Sequence, residues 1–365
     1  MRESQDFQTK QFSRDLLLLL RCSMNTVEMP SHPKPDNFFE TVHAFQRSAA
    51  IKAAIELDLF TAIGDGATDA ASIAQNCKAA VRGIRILCDY LVILGFLKKN
   101  ASEYSLTEES QFFLNRRSPA YIGSAVEFLL SPRALEIFHT LTTSVRNGGL
   151  PLEHSPSLDP ENEMWVTFAR AMMPLMYPAA RAMAEHLPLP AGRAARVLDI
   201  AASHGLWGIS VAQRHPNAHI VALDWKNVVE VARENAAKAG LNGRHTTLPG
   251  DAFEIDFGGD YDAILLPNFI HHFDIPTNEK LLVKCARNLR PGGHVAIVDF
   301  VPNDDRVSPP TVAGFAMTML AGTPAGDVYT FTEYEGMLKR SGFAHVEARA
   351  LAGMPQTLIL GRKTA

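Results

Sequence analysis

Residues 196–205 read Arg-Val-Leu-Asp-Ile-Ala-Ala-Ser-His-Gly, an apolar run followed by small residues. The apolar run predicts a buried β-strand, and the small residues after it predict a tight loop that leads into a helix. In open parallel sheets, ligands bind beyond the carboxyl ends of the strands, where backbone N–H groups are free. This stretch therefore predicts the first strand and the ligand-binding loop of an α/β domain.

The same strand-then-helix order repeats from residue 191 to the end of the chain. Strands that alternate with helices of about 10–15 residues predict a parallel, doubly wound sheet of the Rossmann-like α/β class. We interpret Pro291-Gly292-Gly293 as a turn that stops the helix before it. The further predicted strands lie at 219–224, 246–249, 261–266, 294–300 and 356–361.

The sequence before residue 191 is mainly helical instead. Three helical patterns followed by a short hairpin, between Asn37 and Thr107, are in the order of a winged helix. A later candidate helix at 165–186 contains Pro174 and Pro178, which we expect to kink or divide it. The predicted divisions are a poorly ordered extension at 1–35, a winged-helix domain at 36–118, a helical segment at 119–190 and the α/β domain at 191–365.

The composition excludes several classes of protein. With 47% hydrophobic and 20% charged residues among 365, the chain is too apolar for a disordered protein, and its charge of −4 argues against a protein that coats nucleic acid. No apolar stretch approaches the roughly 20 residues of a membrane helix, and the run at 16–20 is too short for a secretion signal. The four cysteines have no metal or redox spacing, which predicts free thiols in a cytoplasmic protein. Met24 and Met29 lie in the extension, and we hypothesise that translation starts later than Met1.

Two carboxylates indicate the class of ligand. Asp224 ends the second strand, 19 residues after Gly205, where it can accept hydrogen bonds from ribose hydroxyls. NAD is the competing ligand, but only Gly205 and Gly208 fit its glycine pattern, and Asp199 would repel a nearby pyrophosphate. A carboxylate at Asp199 suits a cationic ligand without phosphate, and S-adenosylmethionine, with its ammonium and sulfonium charges, fits that description.

Further motifs give a family resemblance. Gly250-Asp251-Ala252-Phe253, Leu289-Arg290-Pro291-Gly292-Gly293 and Gly342-Phe343 follow later strands or precede the last one. With the loop at 201–205, they make residues 36–362 resemble the class I O-methyltransferases of the acetylserotonin/caffeic-acid type, which carry an N-terminal dimerisation domain. The resemblance implies S-adenosylmethionine as cofactor, a homodimer formed through the N-terminal domain, and cofactor-binding residues Asp199, Ala201, Ser203, Gly205, Asp224, Trp225, Asp251, Ala252, Phe253 and Asn268.

The catalytic residues implied by the resemblance follow the fourth and fifth strands. His271 lies where the family carries its catalytic base, and a histidine pKa of about 6.5 suits proton removal from a phenol near neutral pH. Asp299 resembles the first of two acids that orient this histidine, whereas Val328 stands at the place of the second. Met172 and Met319 match positions that hold a flat aromatic acceptor in the family. His272 is predicted to be structural.

The cofactor loop departs from the family pattern, because Ala201, Ala202 and Ser203 stand where glycines are usual. Alanine and serine allow close approach of a ligand at negative φ, but they cannot replace a glycine at positive φ. We predict that no metal is required, because no cluster of carboxylates is present to bind one.

Three readings of the function remain open at this level. We favour O-methylation of a small aromatic hydroxyl, but the same fold and cofactor also serve C- or N-methylation and chemistry without methyl transfer. A DNA-binding regulator is the third reading. Its recognition helix would be 81–94, with only Arg82 and Arg85 as basic residues, and residues 36–110 hold seven Lys and Arg against ten Asp and Glu. That acidic balance and the apolar surface of the helix predict a dimerisation module that binds no nucleic acid.

Overall fold

A computed structural model describes residues 34–151 and 162–364 of the chain. All but the last two residues of the predicted extension lie outside the described residues, and so do Met24 and Met29. Within the two described ranges, no helix is long and apolar enough to cross a membrane.

The N-terminal part is mainly helical and ends in a two-stranded antiparallel hairpin, in the predicted order but with one more short helix. Asp69 begins the third helix, because its carboxylate accepts hydrogen bonds from the backbone N–H groups of Ala71 and Ser72. Phe60, Ile84 and other buried apolar side chains form a core of this part. Its elements are α1 (Asp36–Glu56), α2 (Leu59–Gly64), α3 (Ala70–Asn76), α4 (Val81–Ile93), β1 (Leu97–Asn100), β2 (Glu103–Leu106) and α5 (Glu108–Phe113).

The middle of the chain consists of short helices. The candidate helix at 165–186 is divided, as expected from its prolines, into two helices that meet at Met172. Pro174 lies in the first turn of the second helix, where a missing N–H is tolerated. The helices are α6 (Val126–Leu129), α7 (Pro132–His139), α8 (Leu141–Asn147), α9 (Glu163–Ala171) and α10 (Met173–His186).

The C-terminal part is a seven-stranded sheet with helices on both faces. Two buried apolar clusters, one around Val197 and Trp207 and one around Leu198 and Ile264, join the sheet to these helices. The strands lie in the order β5-β4-β3-β6-β7-β9-β8. The elements are β3 (Ala195–Ile200), α11 (Leu206–Arg214), β4 (Ala218–Asp224), α12 (Lys226–Lys238), β5 (His245–Pro249), β6 (Tyr261–Pro267), α13 (Ile275–Asn288), β7 (Leu289–Asp299), α14 (Pro310–Gly322), α15 (Phe331–Arg340), β8 (Phe343–Ala350) and β9 (Thr357–Lys363).

Two expectations about this sheet were wrong. First, β7 begins at Leu289 and runs through Pro291-Gly292-Gly293, because Leu289 already pairs with Tyr261 and a register irregularity before Ala263 accommodates the triplet. Second, the sheet is mixed, because β9 pairs antiparallel with both β7 and β8. The sequence analysis missed β8, an edge strand whose residues are mostly exposed and therefore lack an apolar run.

Candidate active site

The carboxyl ends of four neighbouring strands hold most of the predicted site residues. β3 lies between β4 and β6, so the chain leaves β3 toward one side of the sheet and later returns on the other, which opens a crevice at this edge. Asp199 and Asp224 lie at the ends of β3 and β4, Asn268 follows β6, and Asp299 ends β7. Strand order alone therefore brings these four polar side chains to one edge.

Asp199 is fully buried beneath the loop that follows β3. Its Oδ2 accepts a hydrogen bond of 2.9 Å from the backbone N–H of Gly208 in α11, while its Oδ1 is buried and has no hydrogen-bond partner among residues 34–151 and 162–364. Burial raises the pKa of this carboxyl to about 8, and the nearby carboxylate of Asp224 acts in the same direction. A buried, half-satisfied carboxyl of this kind favours a cationic ligand.

The loop itself is strained at two positions. The backbone angle φ is 54° at Ala201 and 52° at Ser203, in the left-handed region that glycine prefers, and 75° at Gly205. Backbone N–H groups hold the loop in this conformation: Ala202 donates to the Leu223 carbonyl (3.0 Å), and Ser203 donates to Asp224 Oδ2 (2.8 Å). A side chain in this region costs about 1–2 kcal/mol. The expectation that alanine and serine cannot replace a glycine at positive φ was therefore wrong for Ala201 and Ser203, which adopt this conformation at that cost.

We expect Ala201→Gly to raise the free energy of unfolding by about 0.5–1 kcal/mol, because relief of the left-handed strain exceeds the entropy cost of a glycine. The matched variant is Ala202→Gly, at the neighbouring residue, which has no positive φ and packs its buried methyl group against Ala222 and Ala232. That variant should lose about 1 kcal/mol. Urea unfolding of both variants measures the difference, and a loss of stability in Ala201→Gly would contradict the strain.

Asp224 anchors the same loop from β4. Its Oδ2 accepts the hydrogen bond from Ser203 and its Oδ1 accepts one of 2.7 Å from the backbone N–H of Trp225. Burial raises the pKa of this carboxyl to about 6, and the two backbone donors oppose that rise. Each oxygen keeps a further lone pair, so the carboxylate can still accept from ligand hydroxyls.

The loop after β5 carries the predicted adenine-binding residues. Asp251 Oδ1 accepts from the backbone N–H of Phe253 (2.8 Å), which closes a tight turn around the buried Ala252. The sequence analysis missed Lys284 of α13, whose Nζ donates to the carbonyl oxygens of Ala252 (3.0 Å) and Phe253 (2.8 Å) and so fixes the turn. The ring of Phe253 packs edge-on against Phe273 at 4.9 Å.

The chemistry of these residues fits S-adenosylmethionine. Asp199 Oδ1, Ser203 Oγ and Asn268 Oδ1 are all buried atoms that can accept a hydrogen bond and have no partner in the described part of the chain. Unsatisfied buried acceptors are rare in folded proteins. The ammonium, ribose hydroxyl and adenine amino groups of S-adenosylmethionine supply the missing donors, and its positive charges match the raised proton affinity of Asp199.

His271 and Asp299 form a buried pair. His271 lies in the short helical turn Ile270–His272 after β6, and its Nδ1 is 2.6 Å from Asp299 Oδ1. Both side chains are almost completely buried. Since Nδ1 is engaged and Nε2 has no hydrogen-bond partner among the described residues, Nε2 is the nitrogen free to take a proton.

The sequence analysis missed two residues that fix this pair. Tyr334 of α15 donates its hydroxyl to Asp299 Oδ2 (2.9 Å), and Asn278 of α13 donates to the carbonyl oxygens of Ile270 (3.0 Å) and Phe273 (3.1 Å) at the two ends of the turn. No local pattern marks either residue, because both lie on helices and their partners are set by the tertiary fold. Val328 is buried, and Asp327 beside it pairs at the surface with Arg306 (3.2 Å).

Aromatic side chains surround the His271 imidazole. Phe315 of α14 meets it edge-on at 5.0 Å between ring centres, and Phe300 packs against Phe315 at 4.3 Å with the two rings tilted by 34°. On another side, the His272 ring lies 4.5 Å from that of His271 and meets Trp165 edge-on at 5.9 Å. Nδ1 of His272 and Nε1 of Trp165 are buried, and neither has a hydrogen-bond partner in the part of the chain that the structure describes. Burial lowers the pKa of His272 well below its usual value, so His272 is neutral.

The two predicted acceptor-binding methionines are both buried but differ in their surroundings. Met319 lies one turn after Phe315 on α14, so it continues the face that contacts His271. Met172 belongs to the apolar cluster between α10 and the sheet. The methionine that contacts a predicted site residue there is Met176, whose sulfur lies 3.7 Å from Asn268 Nδ2.

Comparison with known proteins gives two family matches. The model of the O-methyltransferase domain matches residues 191–344, and the model of the O-methyltransferase dimerisation domain matches residues 39–116. A curated relative is the 3-hydroxy-5-methyl-1-naphthoate 3-O-methyltransferase of Streptomyces sahachiroi. It is 28% identical over 326 residues, which cover 87% of this chain and 92% of that protein.

Solved structures agree with this result over nearly the whole chain. A provisionally assigned O-methyltransferase from Nostoc punctiforme PCC 73102 is 50% identical, with a TM-score of 0.87 over 91% of this chain and 100% of that one. Human N-acetylserotonin methyltransferase, solved in complex with S-adenosylmethionine, has the same fold. It is 22% identical, with a TM-score of 0.79 over 92% of this chain and 100% of that one.

Proposed function

The chain belongs to the O-methyltransferase family and uses S-adenosylmethionine, and on that premise we propose that it methylates a hydroxyl of a small aromatic acceptor with His271 as the general base. The observation that carries the proposal is the buried His271–Asp299 pair, 2.6 Å apart, at the strand edge that also holds the unsatisfied acceptors Asp199 Oδ1 and Ser203 Oγ. Transfer of a methyl group from a positively charged sulfur to a phenol needs a base that removes the phenol proton and a nearby site that binds the positive charge. The buried pair and the unsatisfied acceptors provide these two features.

The base works through its two nitrogens. Nε2 of His271 takes the proton from the acceptor hydroxyl as the oxygen becomes nucleophilic, and Nδ1 donates to Asp299 throughout. The Asp299 carboxylate fixes the ring and the tautomer, and it stabilises the imidazolium that forms. Asn278 holds the ends of the turn, so His271 keeps its position while its charge changes.

Different groups of residues bind the three parts of the cofactor. We assign the methionine part to Asp199 and to the loop residues Ala201, Ser203 and Gly205, the ribose to Asp224 beside Trp225, and the adenine to Asp251, Ala252 and Phe253, with Asn268 completing the site. Bound S-adenosylmethionine supplies a methyl group on a positively charged sulfur, and an oxygen that attacks the methyl carbon in line with the carbon–sulfur bond displaces the sulfur as a neutral thioether.

The surroundings of His271 support a flat, apolar acceptor. Phe315 meets the His271 ring edge-on, Phe300 packs against Phe315, and Trp165 meets the neighbouring His272. Met319 continues the same helix face as Phe315. Aromatic and thioether side chains contact an aromatic ring favourably, at about 0.3–1.5 kcal/mol each. We propose Met319 and Met172 as acceptor contacts on this basis.

Calorimetry with S-adenosylmethionine, followed by assays of a panel of phenols, catechols and naphthols for methylated product by mass spectrometry, tests the function. Cofactor labelled with deuterium in its methyl group shows whether the label reaches the product, and fragmentation or NMR shows whether oxygen, carbon or nitrogen carries it. Label on oxygen supports the proposal. Label on carbon or nitrogen, or product formed without consumption of cofactor, establishes one of the alternative chemistries.

We also propose that the N-terminal part, at 36–118, forms a homodimer. Residues 39–116 match a dimerisation domain, and α1 exposes large apolar side chains, among them Phe45 at 67%. We expect Phe45→Glu to shift the protein from dimer to monomer in light scattering. Val307→Glu is the matched control, because Val307 is 69% exposed in the C-terminal part, and it should leave the dimer intact. A dimer in both variants would contradict this interface.

We propose that the chain binds no nucleic acid and works in the cytoplasm. In α4, Arg85 pairs with Asp89 (3.0 Å), which also binds Lys99 of β1 (2.5 Å), so part of the small basic content is already neutralised. Saturable binding of DNA in a gel shift at low salt would contradict this proposal. The described cysteines, Cys77, Cys88 and Cys285, are buried free thiols, as expected for a reducing compartment.

A further inference from the structure

The carboxylate of Asp299 has a hydrogen-bond donor on each oxygen. Oδ1 accepts from His271 Nδ1 (2.6 Å) and from the backbone N–H of Phe300 (2.8 Å), and Oδ2 accepts from the hydroxyl of Tyr334 (2.9 Å). Asp299 and Tyr334 are both completely buried. A buried carboxylate requires hydrogen-bond donors for its lone pairs, and the Tyr334 hydroxyl is one of the donors that Asp299 receives.

The described surroundings of the pair contain no second acid in contact with His271. Val328, which stands where the resemblance places that acid, is buried and apolar, and Asp327 points to the surface toward Arg306. The contact that steadies the base on this side comes instead from Tyr334, on Asp299 rather than on His271.

We propose that Tyr334 is a positioning residue for the methyl-transfer reaction, whose hydroxyl fixes the single carboxylate that orients His271. The inference rests on the proposed role of His271 as base. It makes the unit a tyrosine–aspartate–histidine chain with one negative charge, in place of a histidine between two acids.

Local structure holds Tyr334 in this role. Thr330 and Glu333 form a capping box that begins α15, so Tyr334 lies in its first turns, on the face toward the sheet. The Tyr329 ring meets Tyr334 edge-on at 5.9 Å, and Arg306 binds Glu333 on the outer side. Burial and the adjacent carboxylate raise the pKa of Tyr334 well above 10, so its hydroxyl stays a donor throughout the working pH range.

Tyr334 and His271 donate hydrogen bonds to the same carboxylate, that of Asp299. When the tyrosine hydroxyl is removed, the negative charge of Asp299 interacts more strongly with an imidazolium at position 271, so we expect the acid limb of the kcat profile to lie at higher pH in Tyr334→Phe than in the wild type. The other titratable groups around the pair are His272 next to His271, Tyr329, and Glu333 in α15, and Glu333 is already paired with Arg306. A change in the acid limb of the kcat profile against pH therefore reflects chiefly the hydrogen-bonded series of Tyr334, Asp299 and His271.

The test compares Tyr334→Phe with Tyr261→Phe in the full-length enzyme. Tyr261 is an equally buried tyrosine at the amino-terminal end of β6, away from the carboxyl ends of the strands that hold the site, and its hydroxyl donates to the Phe257 carbonyl (2.6 Å). Both variants lose one buried hydroxyl and the stability that goes with it. We expect kcat to fall about tenfold in Tyr334→Phe, with KM for cofactor and acceptor unchanged and the acid limb of the kcat profile at higher pH. Tyr261→Phe should keep the kcat and pH profile of the wild type.

A second variant keeps the volume of the side chain and changes only the strength of the donor. Fluorotyrosine introduced at position 334 has a more acidic phenol and gives a stronger hydrogen bond to Asp299, so the acid limb should move to lower pH, opposite to the phenylalanine variant. Equal profiles for the wild type, Tyr334→Phe and the fluorotyrosine enzyme would overturn the proposal, whatever their melting temperatures. The outcome is distinct from a failure of the proposed function, which would appear as unchanged turnover in a variant that lacks His271.

Discussion

Replacement of His271 by alanine is expected to lower kcat by about 10²–10⁴-fold, the usual contribution of a general base, and to leave the affinity for S-adenosylmethionine unchanged. The affinity should persist because the contacts assigned to the cofactor lie on Asp199, Asp224 and the loop between them. The effect is read from turnover at saturating acceptor, with calorimetry of cofactor binding as the second measurement. Added imidazole should restore part of the lost rate to the variant, since the side chain leaves a space beside Phe315.

A suitable control is His245→Gln. His245 is also partly buried, and burial lowers its pKa, but it is the first residue of β5 and so lies away from the carboxyl ends of the strands, where the site residues are. The control should turn over at the rate of the wild type. If His271→Ala retains full turnover, another group removes the proton, and the roles proposed for Asp299 and Tyr334 fall with it.

Much of this site could be predicted because it depends on where strands end. Apolar runs mark the strands, and a parallel sheet brings their carboxyl ends to one edge, so Asp199 and Asp224 could be assigned from sequence. The approach of His271 to Asp299 was predicted through the resemblance, and the adjacency of β6 and β7 explains it, since the two residues are 28 positions apart and each follows or ends one of these strands.

Other parts of the site depend on contacts that leave no local pattern. Tyr334 reaches Asp299 from 35 residues away, and Lys284 reaches the loop at Ala252 from 32 residues away; both occupy ordinary helix positions. The positive φ angles of Ala201 and Ser203 run against the preference of these residues. They are set by hydrogen bonds from the loop to β4, which only the folded sheet provides.

We expect Asp199→Asn to weaken the binding of S-adenosylmethionine by roughly 30-fold or more, the effect of removing one partner from a buried charge pair worth about 2–5 kcal/mol. Asparagine keeps the shape of aspartate and can still accept a hydrogen bond from the Gly208 N–H, so the loss of affinity measures the effect of the charge alone.

Calorimetry as a function of pH tests the same assignment a second time. Because the pKa of Asp199 is raised to about 8, binding of a cation to the wild type should release a proton below that pH, and the affinity should rise between pH 6 and 8 and then level off. The variant should lack this rise.

The same raised pKa predicts the opposite change in stability. A carboxyl that titrates near 3.8 when unfolded and about 8 when folded makes the native state progressively less stable as pH rises through that interval. Asp199→Asn should therefore melt at a higher temperature than the wild type at pH 8, and the difference in melting temperature should disappear toward pH 4.

Asp262→Asn is the matched control, because this buried carboxylate is paired with Arg193 and Arg290, which hold its pKa below the usual value. It should lose stability at neutral pH and keep its cofactor affinity. An Asp199→Asn variant that binds S-adenosylmethionine as the wild type does would show that the Asp199 charge does not bind the cofactor, since a ligand-binding carboxylate of this kind is one whose removal stabilises the empty protein and weakens the complex.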